Sequence, residues 1–108
     1  MKEIWDGSMD TVYYTSDEAT LRAPCKVTIG RDQISVSYDL EGENYQYTGT
    51  ADAPGHFILA LANRPEETGG ATLHRFPNSK LLEGYWEEGG VKGFWRIRLH
   101  EKVEPLGG

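Results

Sequence analysis

The sequence has a single cysteine, a deficit of positive charge and no long apolar run. One thiol, Cys25, cannot close an internal disulfide. Cys25 follows Pro24 at the start of a strand-like segment and reads as a small, reduced core residue. Lys and Arg number 11 against 17 Asp and Glu, a formal net charge of −6. Polymeric nucleic acid and anionic membranes select a basic excess, so neither is an expected partner. The longest apolar run, Phe57-Ile58-Leu59-Ala60-Leu61-Ala62, is far below the roughly 20 residues of a spanning helix, and no membrane insertion is expected. The N-terminal stretch is acidic and broken by Gly7, without the apolar segment of a signal peptide, which points to a cytoplasmic protein.

Recognisable reaction chemistry is scarce as well. His56, His74 and His100 fall on three separate expected strands, with no paired cysteines, so no metal site and no cofactor is expected. No nucleophile elbow, phosphate loop or dinucleotide fingerprint occurs, and Gly89-Gly90-Val91-Lys92-Gly93 reads as a hairpin tip. Glu83 beside Tyr85 is the only pair that suggests acid–base chemistry, and both fall on the outer phase of their strand. An isomerase or dehydratase is therefore the third choice, and no catalytic residue is assigned. Glu66-Glu67 and Glu87-Glu88 read as solubilising acidic pairs at loops.

What the chain does have is alternation. Thirteen glycines and five prolines leave little room for helices, and between them apolar residues recur at every second position. Ile34, Val36, Tyr38 and Leu40 alternate with Gln33, Ser35, Ser37 and Asp39, the signature of a strand with one buried face. Tyr45, Tyr47, Gly49 and Ala51 continue the pattern after a turn at Glu41-Gly42. Further strands are expected near 3–14, 26–29, 56–63, 71–76, 80–87 and 91–100, giving eight in all. Ser16 to Ala23, with Ser16 as an N-cap and Pro24 as a stop, reads as one or two helical turns, with a plain loop as the alternative. Residues 103–108 read as a frayed tail of a single domain spanning 1–108. Short connections make neighbouring strands antiparallel, and a meander of tight turns favours a closed eight-stranded up-and-down β-barrel over a sandwich.

Phase assignment puts Trp86 and Trp95 inside with Ile34, Val36, Tyr38, Tyr45, Tyr47, Phe57, Leu59 and Leu73. The interior-phase glycines Gly49, Gly84 and Gly93 leave room or bend strands. An eight-stranded barrel either fills with its own side chains or holds one small ligand. Tyr38, Tyr45, Tyr47, Trp86 and Trp95 are the candidate lining, with Arg75 near one mouth as an anchor for a carboxylate or phosphate.

Leu82-Glu83-Gly84-Tyr85-Trp86 followed by Gly93-Phe94-Trp95-Arg96-Ile97-Arg98-Leu99, after a strand like Phe57 to Ala62, resembles the later hairpins of calycin-type barrels. That group comprises lipocalins, fatty-acid-binding proteins, avidins and small bacterial relatives. The resemblance implies an up-and-down barrel that holds a small molecule at its open end without chemistry. It also implies closure of the other end by a Trp from the first strand against an Arg from the last, here Trp5 with Arg96 or Arg98. A narrower likeness, to minimal barrels that sense cyclic oligonucleotides in bacterial antiphage signalling, implies a nucleotide ligand, for which Lys92, Arg96, Arg98 and Lys102 form a basic stripe. The leading expectation is a non-enzymatic barrel binding an aromatic or anionic small molecule. The competing one is a homo-oligomeric interaction module with a filled core and an apolar outer wall at Ile58, Ala60, Leu81 and Phe94.

Overall fold

The computed structural model describes residues 2–14, 16 and 18–103. Alternation of apolar and polar residues produces eight strands: β1 (Glu3–Tyr13), β2 (Ala19–Ile29), β3 (Gln33–Leu40), β4 (Glu43–Ala53), β5 (His56–Leu61), β6 (Gly69–His74), β7 (Leu81–Glu88) and β8 (Val91–Val103). Each pairs antiparallel with the next, and β8 closes on β1, so the sheet is a closed up-and-down barrel without a free edge. Two of its hairpins turn on Glu41-Gly42 and Gly89-Gly90, all at positive φ, the paired left-handed geometry that matches strand twist.

The segment expected to be helical belongs to β2 from Ala19 onward; Asp17 lies outside the described residues. Tertiary pairing overrides the local capping signal here. Met9 faces Ala23 and Thr11 faces Thr20, so β2 carries an extra residue against β1. Arg22 adopts φ 59°, and its N–H donates to Asp10 Oδ1 at 2.9 Å, which holds the bulge in place. Pro24 sits just beyond Cys25, where the pairing of β2 with β3 stops, a position where a missing N–H is tolerated. Val103 ends β8, and the tail expected after it lies outside the described residues.

The core follows the expected phase. Ile34, Val36, Tyr47, Phe57, Leu59, Leu73, Trp86 and Trp95 are all buried, joined by Met9, Val27, Leu82 and Ile97. Gly49 and Gly84 occupy inward positions where the neighbouring backbone comes closest. A Cβ on Gly49 would lie 2.0 Å from the Ile58 carbonyl oxygen, and one on Gly84 1.7 Å from that of Thr72. A Cβ on Gly93 would meet the Trp86 ring at 2.4 Å, so this glycine makes the space in which the indole lies.

One end of the barrel is sealed. Trp5 is buried there, and its Nε1 donates to Glu3 Oε1 at 3.0 Å. Arg75 Nη1 stands 3.7 Å from the same oxygen, and Arg75 Nε donates to the Ser79 carbonyl at 2.6 Å. The closing cation is therefore Arg75, reaching Trp5 through Glu3, and not Arg96 or Arg98. Those two alternate with Trp95, Ile97 and Leu99, which fill the interior, so they face outward. Arg96 binds Glu83 at 2.9 Å and Arg98 binds Asp10 at 2.8 Å.

Gly84→Ala is expected to cost about 1–3 kcal/mol or more through overpacking. Gly70→Ala, where the nearest atom lies 3.8 Å from the new Cβ, should be neutral or slightly stabilising. Urea unfolding of both variants checks the contrast; equal effects would contradict the close approach at Gly84.

Candidate functional site

The opposite end carries the β1–β2, β3–β4, β5–β6 and β7–β8 connections and is hollow. A cavity of about 150 Å³ lies there, walled by Tyr13, Tyr38, Tyr45, Trp86 and Trp95, with Glu88 at its side and Met9 and Thr11 on the β1 side. Each wall residue arrives by strand phase. Tyr38 and Tyr45 are register partners on β3 and β4, and their rings stack at 5.5 Å with planes 13° apart. Tyr13 meets Trp86 edge to face at 5.2 Å, and Trp95 meets Tyr38 in the same way at 6.2 Å. Such arrangements fix ring positions as well as bury area.

The polar chemistry centres on one contact. Tyr47 is fully buried, and its hydroxyl donates to Glu88 Oε2 at 2.6 Å across the barrel, short enough to mark a charge-assisted bond. Burial first, then this bond, pushes the Tyr47 phenol well above its ordinary range. Burial likewise raises Tyr38, with the Glu88 charge adding to it. Tyr13 is raised by burial and by Glu18, Glu88 and Glu41. All three phenols stay protonated at neutral pH and act as donors, not bases. The indole Nε1 of Trp86 is buried and has no hydrogen-bond partner among the described residues. On the rim, the Arg64 guanidinium lies 4.4 Å over the Tyr45 ring and is bonded to Glu43.

Of the residues expected to line a site, Tyr38, Tyr45, Trp86 and Trp95 come together here, and Tyr47 sits behind Glu88 as its anchor. Arg75 does not join them. It belongs to the sealed end, because β6 runs away from the open mouth before Arg75 is reached, and its charge is taken up by Glu3. Two important residues are less visible in the sequence. Glu88 reads as part of a loop, yet it continues the inward phase of Leu82, Gly84 and Trp86, and β7 extends to include it. Tyr13 continues the phase of Trp5, Met9 and Thr11. The Glu83–Tyr85 pair is divided on the outer wall, Glu83 binding Arg96 and the Tyr85 hydroxyl donating to Glu87.

Elsewhere on the outer wall, Ile58 is 51 % exposed, whereas Phe94 is partly covered, with Arg96 5.7 Å over its ring. Among the described residues no group of three or more His, Cys, Asp or Glu could hold a metal ion, and no helix is long and apolar enough to cross a membrane. No protein-family model, no curated protein and no solved structure matches the chain.

Cys25 is buried, and desolvation raises its thiol from 9.0 to about 12. With Tyr13, Tyr38 and Tyr47 it forms a set whose folded-state values all lie above the unfolded ones. The unfolded chain then releases protons first, so stability is intact below pH about 9 and is lost as pH rises beyond it. Thermal melts between pH 8 and 12 should show a falling Tm, with a shallower fall in Tyr38→Phe. A Tm independent of pH in that window would contradict the burial of these groups. Asp10 behaves oppositely. Its bond from Arg98 lowers it, so the stability it contributes is present above the ordinary carboxylate range and lost on acidification.

Proposed function

We propose that this chain is a non-enzymatic binding barrel that holds one small molecule, about the size of a single ring, in its open end. The observation that carries the reading is the aromatic-walled cavity of about 150 Å³ beside Glu88. An engineered protein cavity of about that volume accepts benzene, and a concave apolar wall with a few convergent polar groups is the usual form of a ligand site. Protonated phenols and a carboxylate engaged by Tyr47 suit recognition better than proton abstraction. The calycin-like resemblance agrees with this reading, since it too implies a small guest at the open end.

The anionic half of the expectation, including the cyclic-oligonucleotide alternative, has less support. The cavity wall contains Glu88 and Asp39 but no Lys, Arg or His, and its volume is small for a dinucleotide. The interaction-module alternative draws its support from exposed apolar side chains such as Ile58 and has no comparable focus.

Benzyl alcohol serves as a neutral one-ring probe. It is expected to change Trp86 and Trp95 emission and raise Tm in the wild type. Ala23→Phe, which places a ring in the same space, should retain the fold and lose the response. No response in the wild type, or an equal one in Ala23→Phe, would overturn the proposal.

A further inference from the structure

From the open-end cavity we infer that its natural guest is a small organic cation, a substituted ammonium no larger than about choline, held among the Tyr13, Tyr38, Tyr45 and Trp86 rings and facing the Glu88 carboxylate. The inference rests on the binding reading above and deepens it by naming the sign of the guest.

Three features carry it. The wall is built from Tyr and Trp rings, and the electron-rich π faces of such rings attract a desolvated cation. The charge that strand phase brings to the open end is negative: Glu88 follows Leu82, Gly84 and Trp86 on the inward face of β7 and lines the cavity. Glu88 Oε2 is tied to Tyr47, whereas Oε1 has no hydrogen-bond partner among the described residues. A guest cation would complete that carboxylate, while an anion brought into the same space would meet uncompensated repulsion.

The third feature is long-range. Glu18, Glu41 and Glu67 reach the open end from three different connections and Glu88 from the end of β7, and their charges are felt by the cavity tyrosines. The cations there are already engaged or turned outward. Arg64 is bonded to Glu43, and Lys92 lies opposite Glu87 on the outer wall. Lys2, Arg31, Arg75 and Lys80 lie at the sealed end, where Glu3, Asp32 and Asp52 offset them in part, whereas acids outnumber cations at the open end. The barrel is thus polarised along its axis, and a cation is drawn to the end that has room for it.

The test compares choline with its neutral carbon isostere, 3,3-dimethylbutan-1-ol, by tryptophan emission and calorimetric titration. Choline is expected to bind about tenfold more tightly than the isostere, the preference shrinking as ionic strength rises. Glu88→Gln keeps the side-chain shape and the acceptor for Tyr47. It should weaken choline by about tenfold and leave the isostere unchanged, which also reports that the cavity has stayed intact. Equal affinity for the two probes, or benzyl alcohol binding without choline, would overturn the cation inference and leave the binding reading standing. Failure of choline, the isostere and benzyl alcohol alike would remove both.

Discussion

The open end is organised by one hydrogen bond, from the Tyr47 hydroxyl on β4 to the Glu88 carboxylate on β7. A carboxylate turned into the lumen of so small a barrel is costly unless a donor receives it. Tyr47 is that donor, and its own ring is locked edge to face against Trp95 at 5.0 Å. The bond therefore fixes the position of the Glu88 charge relative to the floor of the cavity. It also joins strands on opposite sides of the barrel, at the level where packing ends and open space begins.

Below that level the interior is full. Val27, Val36, Leu73, Leu82 and Ile97 are almost completely removed from solvent, and the sealed end is finished by Trp5, Glu3 and Arg75. Side chains of this size fill an eight-stranded barrel at native packing density. Nearer the mouth, beside Tyr13, β1 and β2 contribute the small or polar Thr11, Thr20 and Ala23. The rings of Tyr38 and Tyr45 on β3 and β4 then have no residue of equal bulk from β2 beside them. The hollow half is the result of this imbalance, so one chain contains both a solid core and a site.

Strand number, antiparallel order and closure were legible because the period-2 pattern is strong and the connections are short. The interior positions of Trp86, Trp95, Tyr38, Tyr45 and Tyr47 followed from the same periodicity. Three things were less visible. The bulge at Arg22 depends on a long-range acceptor, Asp10, and its local sequence instead resembles a helix start. Glu88 was hidden by its neighbour: an acidic pair beside two glycines looks like a solvated turn, although phase alone separates Glu87 outside from Glu88 inside. The role of Arg75 depended on which end of β6 it occupies, and alternation gives the face of a residue but not which mouth it serves.

These particulars reduce to the claim that Tyr47 and Glu88 act as a unit. A double-mutant cycle with Tyr47→Phe and Glu88→Ala, followed by urea unfolding, measures it directly. The account expects a coupling of about 1.5–3 kcal/mol, the range for a hydrogen bond to a charged group. Effects that add to within about 0.5 kcal/mol would mean that the two side chains do not hold one another, and would contradict the account.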